Sequence, residues 1–275
     1  MSPSRSPRSP QPRWRCLTGA LVIVAAFGGV ACGDDDDAPT EAKSDFTAYC
    51  DAAFRIESYF AEDPDVDFQN APPEQIAAAV KTYLDGAKPL IDAAVPLVPA
   101  EIKPEIDTQV RAFEQARAGG DPEAPFETPE VMEAAEKSHA FDLENCGWGK
   151  VDVTTKEYSF DGLPGDLKAG KTSIDIENEG KELHEIVLLS KNPGVTESFD
   201  QLLELPQEQA MTKVTPVAGA FASPGETDYV VTTLTAGEYL AVCFIPQGLK
   251  SEEAQPAADA KPHFALGMKK EITVS

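Results

Sequence analysis

Four side chains in the C-terminal half have the types and spacing to hold a soft metal. Cys243 lies in the apolar run Tyr-Leu-Ala-Val-Cys-Phe-Ile-Pro that begins at Tyr239. His263 and Met268 follow, with four residues between them, ahead of a short closing segment at Glu271 to Val274. His184 lies upstream, within Glu182 to Ser190. Two imidazoles, one thiolate and one weakly binding thioether form the donor set of a mononuclear electron-transfer copper site. His184 and His263 are also the only histidines after residue 150. A site with all four positions filled moves electrons rather than binding a substrate. The chain carries no Gly-x-Ser-x-Gly, no phosphate loop and no second metal cluster, so an enzyme is not expected.

These ligands need strands to position them. Alternation puts His184 on one face with Ile186 and Leu188, and Cys243 on one face with Tyr239, Ala241 and Ile245. Both faces are apolar and point inward. His184 stands near its strand's start and Cys243 near its strand's end, so antiparallel neighbours would bring the two ligands together. Further strands are expected at Val151 to Phe160, Thr172 to Ile176, Tyr229 to Leu234 and Glu271 to Val274, separated by turns such as Asp161-Gly162 and Thr235-Ala-Gly237. Glu182 to Ser190 is apolar on both faces, so it is central or covered on both sides. A segment with Phe199, Leu202, Leu203 and Leu205 reads as an inserted helix between Val195 and Met211. Short strands with tight turns indicate a β-sandwich.

Residues 150–275 resemble a cupredoxin, a blue-copper domain of the plastocyanin type. The resemblance is carried by Asn178-Glu-Gly180 before His184, by Ala236-Gly-Glu-Tyr-Leu-Ala-Val-Cys243, by His263-x4-Met268 with Gly267 before the Met, and by Ile272-Thr-Val274. It implies an all-β Greek-key sandwich and a type 1 mononuclear copper held by His184, Cys243 and His263 in a plane, with Met268 axial. It also implies electron transfer. In that family Cys and His are separated by a few residues, whereas nineteen intervene here. Gln247 to Lys261 therefore reads as a polar excursion pinched at its base by Pro246 and Pro262. Such lengthening costs only about 0.6 kcal/mol per doubling. Glu185 stands where the family commonly has Asn, which alters the hydrogen bonds around the thiolate. A copper carrier or store, or a metal-free cupredoxin-like binding module, is the alternative reading.

The N-terminal half has a different period. Residues 44–147 carry four amphipathic segments: one opened by Ser44 with Phe46, Tyr49, Cys50, Ala53, Phe54 and Phe60, and one from Pro73 that Pro89 should kink or shorten. A third runs from about Ala100 to Ala118, and a fourth is capped by Thr128 with Pro129 at its first position and Met132, Ala135, His139, Leu143 and Cys146 along one side. Short connections predict an antiparallel helical bundle, giving a two-domain α + β chain. His139 has no ligand partner at helical spacing and reads as a core or boundary residue.

The first 31 residues carry Arg5, Arg8, Arg13 and Arg15, then the apolar run Leu17 to Val30, which is the pattern of a secretory signal. Val30-Ala31-Cys32 resembles the end of a bacterial lipoprotein signal. That implies a palmitate-type lipid on Cys32 and a chain anchored at the extracytoplasmic face of the cell membrane; the alternative is ordinary cleavage near Ala31 and free secretion. Residues 32–43, with Asp34 to Asp37, form an acidic tether. Without residues 1–31 the chain holds 19 basic and 47 acidic residues, a net charge of −28. Nucleic acid is therefore not expected as a partner; a basic redox protein, or simple solubility, fits the charge better. Outside the cytoplasm Cys50 and Cys146, which bracket the helical segment, should pair, leaving Cys243 as an odd thiol that burial or metal ligation must protect.

Overall fold

The computed structural model describes residues 45–275 apart from 63, 68, 69, 252 and 253. The expected signal, the tether with Cys32, and the Ser44 cap lie outside the described residues. Among the described residues, β1 (Gly149–Lys156), β2 (Ser159–Asp161), β3 (Asp166–Leu167), β4 (Gly170–Asn178), β5 (His184–Lys191), β6 (Val214–Ala222), β7 (Thr227–Leu234), β8 (Gly237–Val242) and β9 (Lys269–Val274) form two sheets. One has the order β2-β1-β4-β7 and the other β3-β9-β8-β5-β6. Their alternating apolar residues meet in one core: Val151, Val153, Ile174, Ile176, Val230 and Leu234 from the first sheet, and Ile186, Leu188, Ala220, Tyr239, Ala241 and Ile272 from the second. The connections cross between the sheets in the manner of a Greek-key sandwich. Tyr239 Oη donates to Thr235 O at 2.8 Å, fixing the turn that brings the chain from β7 into β8.

The outer face of the second sheet is also covered. Leu189, Val214, Leu240 and Val242 pack with Phe199 and Leu202 of a short helix, α5 (Phe199–Leu203). This explains why β5 is apolar on both sides. The expected single helix between Val195 and Met211 is instead α5 and α6 (Gln207–Ala210), because Pro206 starts a new helical turn. Ser198 and Gln201 form a reciprocal cap at the start of α5.

Two strand expectations need correction. Val151 to Phe160 is not one strand: β1 turns at Glu157-Tyr158 and pairs antiparallel with β2. β6 was not expected, because Pro216 and Gly219 interrupt its pattern. It lies at the sheet edge, where a proline lacking a donor is tolerated, and its pairing with β5 shifts register between Leu188 and Leu189.

Four helices, α1 (Thr47–Phe60), α2 (Pro73–Ala94), α3 (Lys103–Ala118) and α4 (Pro129–Asn145), precede the sheets. Thr128 Oγ1 accepts from Val131 N, as its capping position requires. Pro89 does not shorten α2. Leu84, Ala87 and Ile91 are buried on either side of it, and that burial outweighs the roughly 3 kcal/mol cost of an internal proline. The buried line of α4 is Val131, Ala134, Ala135, Ser138 and Asp142, rotated from the Met132 to Leu143 line that periodicity indicated. The helices lie on the first sheet: Tyr49, Cys50 and Ala53 share a core with Trp148 and Val231. His139 stacks on Tyr229 with ring centroids 3.6 Å apart, and its Nε2 lies 3.2 Å from both carboxylate oxygens of Asp175. Cys50 and Cys146 are joined by a disulfide, with Cα atoms 5.3 Å apart. Between helices and sheet is a cavity of about 250 Å³, lined by Ile56, Leu84, Phe113 and Val230 and by the carboxyl groups of Glu57 and Asp142. Among the described residues no helix is long and apolar enough to cross a membrane.

Candidate metal centre

The strand pairing decides where the ligands meet. β5 and β8 are antiparallel neighbours, with Val187 opposite Val242, so the start of β5 lies beside the end of β8. His184 is the first residue of β5, and Cys243 is the residue after β8. Both point into the inter-sheet core, as alternation required. His263 opens a short 3₁₀ turn, His263–Leu266, that returns the chain to this end of the sandwich.

That return is built by backbone hydrogen bonds at the foot of the long excursion. Pro246 and Pro262 form an isolated antiparallel bridge, and Gln247 N donates to Lys261 O at 2.8 Å. His263 N then donates to Ile245 O at 2.9 Å, and Phe264 N to Cys243 O at 2.9 Å. Met268 N donates to His263 O and Cys243 N to Met268 O, each at 3.1 Å. The nineteen intervening residues therefore leave the two ligands adjacent. Gly267, with φ of 118°, supplies the left-handed turn that a side chain would resist.

The three strong donors converge. His263 Nδ1 lies 3.3 Å from Cys243 Sγ and 3.2 Å from His184 Nδ1, and all three ligand atoms lie within 4.8 Å of one another. With metal–ligand bonds of about 2.0–2.3 Å, one first-row ion can contact all three. His184, Cys243, His263 and Met268 are each fully buried. Met268 shares the inter-sheet core with Cys243. The donor set, its enclosure and its softness fit a type 1 copper site.

Burial sets the protonation of the apo centre. It holds the His184 imidazole at a pKa of about 4, with the nearby His263 acting in the same direction. It also lowers His263, against the opposing pull of Glu182. Burial pushes the Cys243 thiol well above its ordinary range, and the Glu185 carboxylate adds to this. A metal must therefore displace the thiol proton to bind.

Around the donors stand Glu182, Glu157 and Tyr158, which the sequence did not single out, and Asn178, Gly180 and Glu185, which it did. Glu182 Oε2 accepts from His263 Nε2 at 3.0 Å. Glu157 Oε1 lies 4.0 Å from His184 Nε2, a fully buried nitrogen with no hydrogen-bond partner among the described residues. Tyr158 packs against His263 with centroids 4.9 Å apart. Asn178 Nδ2 donates to Glu182 O and Ala222 O, at 2.8 and 2.9 Å, bracing the turn before His184. A Cβ at Gly180 would come within 2.7 Å of His184 Nε2, so that turn admits only glycine unless the imidazole moves. Glu185 Oε1 accepts from Phe244 N at 2.8 Å, tying β5 to the residue after Cys243. Glu182 had one legible signal, its place two residues before His184, although the structure puts it in a bend ahead of β5 rather than in the expected strand. Glu157 and Tyr158 had none, because they arrive from a distant hairpin.

No family model matches the chain, and no curated protein matches it. Solved structures do. Auracyanin A from Chloroflexus aurantiacus, described as a "blue" copper protein, is 20% identical over 47% of this chain and 100% of its own, with a TM-score of 0.32. Auracyanin from Roseiflexus castenholzii is 17% identical over 46% of this chain and 96% of its own, at 0.30. Rusticyanin from Thiobacillus ferrooxidans is 19% identical over 46% and 77%, at 0.29.

Proposed function

We propose that this chain is a type 1 copper electron carrier, anchored by lipid on Cys32 at the extracytoplasmic face of the membrane. The observation that carries the electron-transfer reading is the convergence of His184 Nδ1, Cys243 Sγ and His263 Nδ1 in a fully buried pocket. His184, Cys243 and His263 would hold the ion, with Met268 as the weak fourth ligand. When bound, copper supplies a one-electron couple. The protein's part is to keep the donors fixed: β5 holds His184, the β8 end holds Cys243, and the bridged base of the excursion holds His263. Donors so placed need little movement between oxidation states. Their full burial excludes water and leaves no room for a substrate, which favours electron transfer over catalysis.

The acidic surface supports a basic protein as the redox partner. Anchoring rests on the Val30-Ala31-Cys32 sequence and the acidic tether that follows it. The reading is tested by cycling copper-loaded protein between reductant and oxidant in the presence of a Cu(I) chelator. An electron carrier keeps its copper through repeated cycles; loss of the metal on the first reduction would assign the chain to copper carriage instead.

A further inference from the structure

We propose that Glu182, clamped by the base of the long excursion, is a positioning residue for His263. It fixes the proton on Nε2, presents Nδ1 to the metal and favours the oxidised ion, which lowers the reduction potential. The proposal rests on the copper reading above and adds a role for the excursion.

Glu182 is held at its backbone N and O and at Oε2. Its backbone N donates to Glu157 Oε1 at 3.1 Å, and its backbone O accepts from Asn178 Nδ2 at 2.8 Å. Its carboxylate accepts from Gly248 N at 2.7 Å and from His263 Nε2 at 3.0 Å. The next residue extends the clamp, since Leu183 N donates to Leu249 O at 2.8 Å. Gly248 and Leu249 belong to the excursion itself. Gly248 has φ of 88°, a conformation that favours glycine and turns its N–H toward the carboxylate. The Glu182 side chain is only 14% exposed, so water competes weakly for these bonds.

The donor inventory then leaves one tautomer. A carboxylate only accepts, and Gly248 contributes a donor, so the shared hydrogen bond must come from His263 Nε2–H. A neutral imidazole with its proton on Nε2 has a lone pair on Nδ1. That is the nitrogen facing Cys243 Sγ and His184 Nδ1. A carboxylate behind a ligating histidine raises the basicity of the ligand, which stabilises the more highly charged ion. His184 lacks such a partner, because its Nε2 stands 4.0 Å from Glu157. The two histidines are therefore unequal donors, and the stronger one is the one the excursion braces.

The test has two arms. In metal-free wild-type protein, ¹⁵N NMR of the imidazoles should find His263 protonated at Nε2. A proton on Nδ1 overturns the proposal whether or not copper binds. In copper-loaded protein, Glu182→Gln keeps the shape but removes the charge. The blue absorption should remain, while the preference for Cu(II) over Cu(I) falls about 10-fold, a rise in potential of roughly 59 mV for one electron. A blue variant with an unchanged potential overturns the proposal and leaves the copper reading standing. A wild-type protein that takes up no copper defeats that reading instead.

Discussion

The Nδ1 atoms of His184 and His263 lie 3.2 Å apart, and neither ring is exposed. In the apo protein two lone pairs at that distance repel unless one nitrogen carries the proton. With His263 Nε2 engaged by Glu182, the proton falls to His184 Nδ1, while His184 Nε2 has no hydrogen-bond partner among the described residues. A cation held by the two Nδ1 atoms would take the place of that proton. Metal loading should therefore stabilise the sandwich by about 2.7 kcal/mol at free copper 100-fold above Kd. Calorimetry before and after chelation checks this; equal melting temperatures would contradict it.

Met268 separates packing from ligation. Met268→Ala should cost about 2–5 kcal/mol in denaturant unfolding, since a fully buried side chain is truncated. Met268→Leu conserves volume and should cost under about 1.5 kcal/mol. With Met268 in its proposed role as fourth ligand, the variant should also retain the thiolate absorption while shifting the reduction potential. A Leu variant with an unchanged potential would make Met268 a packing residue only.

The Cys50–Cys146 disulfide spans 96 residues and fastens α1 to the end of α4. Replacing both cysteines by serine should destabilise the helical layer by roughly 2–5 kcal/mol. Hydrogen exchange should rise in α1 and α4 first, with β5 and β8 still protected. Uniform loss across both sheets would show instead that the sandwich depends on the helices.

Asp142 makes the helix–sheet contact sensitive to pH. Burial lifts its carboxyl from the ordinary 3.8 to about 7. Burial raises Glu57 as well. Between about pH 4 and 7 the unfolded chain has released the Asp142 proton while the folded chain keeps it, so stability falls as pH rises through that window. Asp142→Asn should flatten this slope and leave the variant more stable at pH 7 by roughly 2–4 kcal/mol. Urea titrations at pH 5 and pH 7 on both proteins isolate the effect. The same slope in both would contradict it.

The sandwich and the meeting of His184, Cys243 and His263 were legible because each rested on a local signal. Alternation oriented His184 and Cys243, and the two prolines flanking the excursion marked where it closes. The helical layer was half legible. Its helices followed the 3.6-residue period, but the rotation of α4 toward Ser138 came with its packing on α3, where Gln109 Nε2 donates to Ser138 Oγ at 2.9 Å, a partner no local pattern encodes. β6 was hidden for a related reason: Pro216 is acceptable only because the strand lies at an edge, and edges are set by topology. Glu157 and Tyr158 reach the site from a hairpin that is remote in sequence, so only the fold places them there.

The most direct test of the account is titration of metal-free protein with Cu(II) under anaerobic conditions, read by visible absorption. One equivalent should raise an intense blue thiolate-to-copper band, saturating at that ratio, and Cys243→Ser should abolish it. A wild-type protein that stays colourless with no bound copper would contradict the central claim.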